Sequence, residues 1–597
     1  MPHGRFARSG GETLVAGMLE RQRHRGPEGN EMWTSGTLVL GHRRLPILDL
    51  SAAGRQPMHS RDGRWTIVFN GEIFNYRELA GELGGPWRTA TDTEVLLEAC
   101  AAWGVEAALG RAHGMFGLAL WDAGRRELTL ARDRAGEKPL VYFWDGETLA
   151  FASELKALES FHDRRMDPQA ADAYFALGYV PAPLAALRGC RKLPAGHMLR
   201  FRAEASGLPR PELAAEGFPV AWRWWTAPEE CAPGPDRREA GHASLAAELR
   251  SRLGRAVGER LRADVPVALA LSGGLDSAVV AAECVRQGAR PEAFTVRFEG
   301  DETDLPYARE TAQRLGLPHA VLDAPAGGLA ARVERLLDYY DEPFADSSAL
   351  ACFVLAEALA GRYRVLLTGD GGDEAFGGYR HYEFIAVKQT LKAAAAAAGW
   401  CDGAGGAGAV YVQSKSLFRA AERRRLLAPL AGAAPERDGP AARFPDWSRA
   451  VTLPATGGPA LRRALRTDRE LALANGLTYK MDIALAAFGI EGRAPLLDHG
   501  VLEWGPTLEA RQLVDGRRKK VLLRAAYAGE LPGAVLGRGK HGFGAPVERW
   551  LKELRSMADE LVPSPLLDRR MQRGARGQRL WTLLLFAAWA RRWKAQW

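Results

Sequence analysis

Residues Ser272-Gly-Gly-Leu-Asp-Ser277 decide the fold of the larger part of this chain. They follow the apolar run Val265–Leu271, which is typical of a buried strand, and precede a helical pattern from about Asp276 to Gln287. Adjacent glycines let the backbone approach a phosphate, and the N–H groups at a helix start point at the anion. The stretch predicts a phosphate-binding loop, although Ser-Gly-Gly is also a common turn and the Lys of a Walker A loop is absent.

Strands and helices alternate on both sides of this loop. The sequence predicts helices at Leu245–Leu261 and Leu305–Leu315 and strands at Ala293–Phe298 and Tyr363–Leu367. Such alternation is typical of a doubly wound α/β fold, in which helices cover both faces of a parallel sheet. From Thr467 onward the sequence is mainly helical, so we expect helical additions to this sheet.

A second glycine-rich segment, Thr368 to Tyr379, follows the predicted strand Tyr363–Leu367 and holds three acids and five glycines. Loops at the carboxyl ends of parallel strands line the crevice where α/β sheets bind ligands, so we expect it to face Ser272–Ser277. Asp276 suits a Mg²⁺ ion that bridges phosphates. The acids of the second loop could complete that site or accept a proton from an attacking amine. The alternative is an acidic surface loop, which the close packing implied by Phe376 and its glycines disfavours.

These motifs resemble the asparagine synthetase B family. In that family a PP-loop ATP-pyrophosphatase domain, similar to adenine nucleotide α-hydrolases, is joined to an N-terminal class II glutamine amidotransferase domain of the Ntn-hydrolase fold. The resemblance implies that Ser272–Ser277 bind the β,γ-pyrophosphate of ATP and leave the α-phosphorus open to a carboxylate. It implies catalytic roles for Asp370, as the base for ammonia attack, and for Lys520, which neutralises charge during adenylation. Mg²⁺ would be held by Asp276 and Asp373.

The resemblance also implies a nucleotide site. Its ATP-binding residues would be Ala270, Leu271, Ser272, Gly273, Gly274, Asp276, Ser277, Val296, Thr368 and Gly369. Arg538–Phe543 resembles a further segment near the pyrophosphate, though its cations are equally compatible with surface charges. Asp370 argues against the branch of relatives that close β-lactams, which carry tyrosine at this position.

The acceptor acid is less well defined by the sequence. Glu491–Asp498 resembles the segment E-x-R-x-P-x-L-D that lines the site in the family, and Asp341–Ser348 resembles the segment that shapes the acceptor pocket. Arg493 and Glu374 are therefore the acceptor-site candidates.

The first part of the chain alternates short apolar runs with turn residues, which predicts antiparallel β-structure. The runs are Thr37–Leu40, Thr66–Asn70, Phe116–Trp121, Leu128–Arg132 and Leu140–Phe143. Between them, Asp92–Trp103 has helical spacing, so this unit mixes sheet and helix in an α+β arrangement. The family resemblance implies an Ntn-hydrolase-like αββα sandwich.

Polar clusters at the strand ends of this part suit a pocket for glutamine. Free glutamine needs a cation for its α-carboxylate and an acid for its α-ammonium, and Arg44 and Asp92 fit these needs. Asn70 and the N–H of Gly71 suit an oxyanion hole. The resemblance implies the same roles, and the glutamine-binding candidates are Arg44, Ile47, Asn70, Gly71, Glu72 and Asp92.

The printed sequence has no cysteine at the place of the nucleophile expected for this pocket. Relatives begin Met-Cys-Gly-Ile, and their N-terminal cysteine attacks the glutamine amide while its own α-amine acts as base. This chain begins Met1-Pro2-His3-Gly4, and Cys100 is its first cysteine. Either a start further upstream supplies the cysteine, or the domain has lost hydrolysis and remains as a scaffold. For the chain as printed, we expect poor glutamine hydrolysis and activity with ammonium.

Composition sets the broad class. The 597 residues exceed the roughly 100–200 residues of one domain. We expect a glutaminase-like domain at 1–210, a connector at 211–244 and an ATP-pyrophosphatase domain at 245–597. The hydrophobic share of 47% and the charged share of 25% are those of a soluble globular protein, and the net charge of +8 is too small and scattered to indicate a nucleic-acid partner. Apolar runs too short for a membrane span and six cysteines without metal spacing favour a reduced, cytoplasmic enzyme.

We therefore expect ATP-dependent amidation of a carboxylate through an acyl-adenylate, with AMP and pyrophosphate released. ATP and Mg²⁺ would be the cofactors, glutamine or ammonium the nitrogen source, and aspartate the default acceptor, in a possible homodimer. One alternative is a ligase of specialised metabolism that acts on another acid or uses another amine. Another is a catalytically silent binding subunit.

Overall fold

The computed structural model describes residues 2–6, 11–204, 207–227, 241–298, 302–324, 328–383, 385, 415–427, 460–516, 518–539, 547–561 and 576–596. Two antiparallel sheets form the first part of the chain. Their strands are β1 (Pro2–Phe6), β2 (Glu28–Ser35), β3 (Leu38–Arg44), β4 (Met58–His59), β5 (Trp65–Ile73), β6 (Gly114–Asp122), β7 (Glu127–Arg132), β8 (Val141–Trp144), β9 (Leu149–Ala152), β10 (Cys190–Lys192), β11 (His197–Ala203), β12 (Pro209–Arg210) and β13 (Trp222–Arg223). One sheet has the order β10-β8-β9-β1-β3-β2. The other has the order β12-β11-β7-β6-β5-β4, with β13 paired to β11.

Helices cover the outer faces of both sheets. They are α1 (Glu12–Arg21), α2 (Tyr76–Leu83), α3 (Asp92–Trp103), α4 (Val105–Arg111) and α5 (Pro168–Leu177). Leu40 of β3 and Leu130 of β7 belong to one core between the sheets. Leu96 of α3 packs on the outer face of the second sheet, and Val15 of α1 on that of the first. The predicted αββα sandwich is confirmed. The antiparallel strands form at the predicted runs, and α3 has the predicted bounds.

The second part of the chain is built on a parallel sheet. Its strands β14 (Val267–Ala270), β15 (Glu292–Phe298), β16 (His319–Ala324), β17 (Val365–Leu367) and β18 (Glu491–Arg493) have the order β16-β15-β14-β17-β18. Helices lie on both of its faces, with Val279 in the core on one face and Leu359 in the core on the other. The predicted doubly wound fold is confirmed.

Helices make up most of the remaining residues. They are α6 (His242–Arg260), α7 (Leu275–Arg286), α8 (Leu305–Leu315), α9 (Leu329–Leu337), α10 (Ser348–Leu359), α11 (Gly372–Phe376), α12 (Ala420–Leu427), α13 (Ala460–Thr467), a π-helix (Asp468–Leu477), α14 (Thr478–Ala486), α15 (His499–Trp504), α16 (Ala510–Leu513), α17 (Val521–Ala526), α18 (Gly533–Gly537), α19 (Val547–Glu553), α20 (Arg555–Leu561) and α21 (Gly577–Arg592). A hairpin of β19 (Val514–Asp515) and β20 (Arg518–Lys519) interrupts them. Among the described helices, none combines the length and the hydropathy needed to cross a membrane.

Aromatic residues tie the end of the first part of the chain to both halves. The indole N–H of Trp224 donates to the carbonyl of Arg132 at 3.0 Å, and that of Trp225 donates to Glu503 at 3.0 Å. The strand β13 at Trp222–Arg223 extends the second antiparallel sheet, so the region predicted as connector contributes to a sheet. Helix α6 begins at His242, a few residues before the predicted start.

Buried charges hold the two halves together. Arg25 is 1% exposed. It donates to Glu154 at 2.8 Å within the first half and to Asp482 on α14 at 2.6 Å in the second. Because a buried charge is stable only when paired, these contacts stabilise the arginine across the boundary between the halves, and Lys156 and Lys138 add further cations at Glu154 and Asp482.

We expect Arg25→Met to lower the free energy of unfolding by about 3 kcal/mol, because it removes the cation that two buried carboxylates share and leaves Glu154 with Lys156 at 2.7 Å and Asp482 with Lys138 at 3.5 Å. Denaturant titration followed by fluorescence measures the change. Arg23→Met is the matched control, since the Arg23 side chain is 72% exposed and its partner Glu20 is 3.8 Å away. Equal losses in the two variants would contradict the role of Arg25.

Candidate active site

The loop Ser272–Ser277 is held in shape by its own side chains and by a glycine. The N–H of Ser272 donates to the Ser277 hydroxyl at 3.2 Å, and that hydroxyl donates to the Gly274 carbonyl at 3.1 Å. Gly273 has φ of 68°, and a Cβ there would lie 2.3 Å from the Asp304 carbonyl oxygen. Only glycine fits this position, so the backbone N–H groups stay accessible at the start of α7.

The second loop packs directly on the first, as the sequence predicted. A Cβ on Gly369 would lie 2.6 Å from the Ser277 nitrogen, and one on Gly372 would lie 2.4 Å from an Asp276 carboxylate oxygen. The strand β17 delivers this loop beside β14, because the two strands are paired in the parallel sheet. The glycines are therefore needed for the close approach of the two loops.

Lys520 joins the two loops electrostatically. Its Nζ lies 2.5 Å from the nearer carboxylate oxygen of Asp276 in the first loop and 2.6 Å from that of Asp373 in the second. Burial alone would lower the pKa of Lys520, but the two carboxylates outweigh it and raise the pKa above its ordinary value. The ammonium therefore stays charged. Lys520 has φ of 53°, a left-handed conformation that costs a non-glycine residue roughly 1–3 kcal/mol and is common at functional sites.

A cavity of about 400 Å³ opens over these loops. Of the residues that the sequence predicted for ATP, Mg²⁺ and catalysis, the lining includes Ala270, Ser272, Gly274, Asp276, Ser277, Thr368, Gly369, Asp370, Asp373 and Lys520. Arg538 also lines the cavity and donates to the Gly273 carbonyl at 3.0 Å. Gly539 of the same predicted segment lines the cavity too, and residues 540–543 lie outside the described residues.

Four predicted residues lie outside the cavity lining. Leu271 directly follows β14, Gly273 belongs to the same loop as the lining residues, and Val296 is buried in the neighbouring strand β15. Arg493 does not reach the cavity: it contacts Glu72 at 3.1 Å and Glu491 at 2.9 Å, and it donates to the carbonyl of Arg262 at 2.8 Å. The acceptor-site role predicted for Arg493 is therefore not supported, because its side chain points to the first half of the chain.

The other acceptor candidate, Glu374, does line the cavity and accepts a hydrogen bond from the Tyr379 hydroxyl. Burial and the neighbouring Asp373 raise the pKa of Glu374 to about 7. Asp370 is oriented by Thr368, whose hydroxyl donates to it at 2.8 Å. The acids of the second loop are thus fixed in different directions around one cavity.

Sequence reasoning missed two charged residues of the lining, Asp304 and Lys480, of which Lys480 stands away from the phosphate loops. Lys480 stands on α14 in the stretch Tyr479-Lys-Met-Asp-Ile483, and it lines the cavity together with Met481 and Leu477. A lone lysine in a helix has no motif, and the only signal is its place in a helix that is otherwise mostly buried.

A second pocket, between the halves, contains all six predicted glutamine residues: Arg44, Ile47, Asn70, Gly71, Glu72 and Asp92. Arg44 is fixed by the carbonyls of Ser51 and Asp49 at 2.5 Å each. The Asn70 amide nitrogen is buried and has no hydrogen-bond partner within the described chain, as suits a donor that awaits a ligand oxygen. Burial raises the pKa of Asp92 to about 7.

His3 precedes Gly4 in strand β1. In the family's opening motif Met-Cys-Gly-Ile, the residue before the glycine is the cysteine. The imidazole is buried, and neither ring nitrogen has a hydrogen-bond partner among the described residues. Burial holds the pKa of His3 well below its ordinary value, so the ring is neutral. The described cysteines Cys100, Cys190, Cys284 and Cys352 are all buried and far along the chain from this strand.

Comparison with known proteins matches both halves. Residues 4–210 match the glutamine amidotransferase domain, and residues 248–592 match asparagine synthase. A putative glutamine-hydrolysing asparagine synthetase of Mycobacterium bovis is 31% identical over 97% of this chain and 93% of its own length. The glutamine-hydrolysing asparagine synthetase 1 of Bacillus subtilis is 27% identical over the same shares of the two chains.

Among solved structures, glutamine phosphoribosylpyrophosphate amidotransferase from B. subtilis, complexed with ADP and GMP, aligns with 62% of this chain and 75% of its own at 15% identity. The TM-score of 0.28 is too low to support any conclusion about a site. The sequence matches are decisive instead, because they span both halves in the order found here. They show that this chain belongs to the asparagine synthase family and is a carbon–nitrogen ligase of the kind that couples ATP to the amidation of a carboxylate with nitrogen from glutamine.

Proposed function

We propose that this ligase converts aspartate to asparagine. ATP would adenylate the side-chain carboxylate with loss of pyrophosphate, and ammonia would then displace AMP. The observation that supports the adenylation step is the contact of Lys520 with both Asp276 and Asp373 beside the loop Ser272–Ser277. A fixed cation in a buried cavity stabilises charge that develops on phosphate oxygens, and it needs no reorganisation as the reaction proceeds.

Binding of the nucleotide would divide between the two loops. The N–H groups of Gly274 and its neighbours at the start of α7 would hold the pyrophosphate, while Arg538 adds a second cation. Residues Ala270, Thr368 and Gly369 would contact the nucleoside. This arrangement leaves the α-phosphorus facing the part of the cavity that contains Asp370 and Glu374.

The two carboxylates fit Mg²⁺. Among the described residues no group of three or more His, Cys, Asp or Glu is arranged to hold a metal. Mg²⁺ bound to nucleotides, however, uses one or two protein carboxylates and completes its shell with phosphate oxygens and water. Asp276 and Asp373, which converge on one ammonium, supply such a pair. The ion would neutralise phosphate charge.

Asp370 would accept the proton of the attacking ammonia. The hydrogen bond from Thr368 orients one of its oxygens, and the carboxylate faces the cavity. Glu374 would contact the amino group of the acceptor, because a buried acid beside a cavity favours a cationic ligand group.

We expect Lys520→Met to lower the rate of ATP–pyrophosphate exchange by about 100-fold or more, because the transition state loses a preorganised charge. Isotope exchange between pyrophosphate and ATP in the presence of aspartate measures this. The surface variant Lys552→Met, which removes the same charge from an exposed position, should match the wild type. Full exchange in Lys520→Met would contradict the adenylation site.

The same assay with a set of acids tests the acceptor. Exchange that depends on aspartate supports the proposal. Exchange with a different acid, but none with aspartate, would refute the aspartate assignment and favour a ligase of specialised metabolism. If Asp276→Ala changes none of the protein's ATP-dependent turnover, a silent binding subunit would be favoured instead.

For the nitrogen source, we propose that protein beginning at Met1 or Pro2 uses ammonium and hydrolyses glutamine poorly, because such a protein has no cysteine with a free α-amine before Gly4. Amide formation should proceed with ammonium chloride, while glutamate release from glutamine stays near background. Mass spectrometry confirms the first residue. Replacing Met1-Pro2-His3 by Met-Cys, with the methionine removed in the cell, should restore glutamate release. Robust glutaminase activity without this change would contradict the proposal.

Binding of glutamine to the second pocket should strengthen with pH. Asp92 becomes ionised as pH rises through about 7, and only the carboxylate attracts the α-ammonium of glutamine. About a tenfold fall in Kd from pH 6 to pH 8 is expected by calorimetry, from the change in the ionised fraction. Asp92→Asn should bind weakly at both pH values and show no such trend. A flat Kd in the wild type would refute the role of Asp92.

A further inference from the structure

The cavity has a second cation, Lys480, at a place distinct from the phosphate loops. Its Nζ donates to the Ser348 hydroxyl at 2.8 Å and to Asp346 at 3.1 Å, both near the start of α10. The carbonyl of Lys480 accepts the hydroxyl of Tyr340 at 2.7 Å, which fixes this part of α14. Both the head group and the backbone of this lysine are therefore held in position.

The surroundings of Lys480 bury its side chain away from water and keep its ammonium charged. Burial alone would lower its pKa, but Asp346, Cys352 and Asp370 raise the pKa above its ordinary value. Its side chain is only 8% exposed, and Leu355 lines the cavity nearby. An ammonium in such a setting binds an anion more strongly than one in water.

The contacts of Lys480 differ from those of the two cations at the phosphate end. Lys520 contacts Asp276 and Asp373, and Arg538 contacts Asp304, all on the loops around Ser272–Ser277. The electrostatic neighbour that Lys480 has in the second loop is Asp370. The cavity thus has a phosphate end with its own cations and another end at which Lys480 stands close to the proposed proton acceptor.

Asp346 shows what kind of ligand this end can hold. Its carboxylate accepts hydrogen bonds from the Lys480 ammonium, from the Ser348 hydroxyl at 2.7 Å and from the Ser348 backbone N–H at 2.9 Å, and these donors also suit the carboxylate of a ligand. The Asp346 side chain is 41% exposed, so water can solvate it when another carboxylate takes its donors.

We propose that Lys480 binds a second carboxylate of the acceptor acid, so that the cavity selects amino dicarboxylic acids. This rests on the proposed amide-forming function and names its specificity residue. Because Asp346 and Asp370 are both negative, a second carboxylate is accommodated best when the acceptor also carries an ammonium group. An acid with one carboxylate would leave Lys480 paired with Asp346, so its binding would gain no free energy from a contact with Lys480.

The experiment compares two matched acceptors. β-Alanine is aspartate without its α-carboxylate, so it lacks only the group assigned to Lys480. The wild type should activate aspartate with a kcat/KM about 10- to 100-fold higher than β-alanine, the range expected for one charge-assisted hydrogen-bonded pair. In Lys480→Met this preference should fall to near one, through a higher KM for aspartate at an unchanged KM for ATP.

Controls separate binding from structural damage. Lys480→Arg keeps the charge and should retain most of the preference, and Lys552→Met should retain all of it. A general loss of structure lowers the activity toward both acids equally and leaves their ratio unchanged. A ratio in Lys480→Met equal to that of the wild type would overturn the proposal.

Failure of the proposed function gives a different result. The pairs glutamate with 4-aminobutyrate and succinate with propionate are run beside aspartate with β-alanine. If the wild type activates another dicarboxylate instead of aspartate, the aspartate assignment fails and Lys480 is judged on that pair. If the wild type turns over ATP but never prefers the dicarboxylate of any pair, the Lys480 proposal is refuted while the ligase function stands.

Discussion

The contact of one ammonium with two carboxylates organises the ATP half of this protein. Asp276 and Asp373 come from loops almost a hundred residues apart, and without a cation between them they would repel each other. Lys520 allows both to approach the same point, and the glycines of both loops leave room for it. A Cβ on Gly378 would lie 2.2 Å from the Lys520 side chain and 1.8 Å from Asp373. Small residues and one charge together therefore bring three segments to one end of the cavity.

Much of this could be predicted because its cause is local. Glycines after an apolar strand, followed by a helix, restrict the backbone wherever they occur, and the loop Ser272–Ser277 forms as its sequence indicates. The strand order did not follow from the sequence, and alternation did not indicate β1, because Pro2–Phe6 is too polar and short to show it; only the family resemblance suggested a strand ending at Gly4–Phe6. Strand pairing is set by packing between sheets, which a single sequence does not display.

Sequence reasoning misjudged Arg493 and missed Lys480 for opposite reasons. Arg493 belongs to a recognisable segment, but the face of β18 on which it lies is fixed by contact with Glu72 in the other half. Residues 491 and 493 share a face by strand periodicity, and that face lies against the first half of the chain. Lys480 has no motif at all, and only the folded helix brings it beside Asp346.

Helix α14 has a geometry that affects both pockets. Residues two apart on an α-helix are separated by about 200° around its axis. Accordingly, Lys480 lines the nucleotide cavity, whereas Asp482 lines the pocket of the glutamine residues and contacts Arg25. The partition between the two pockets is here a single helix, about 10 Å thick. The two pockets thus share one wall, and any rotation of that wall would alter the lining of both at once.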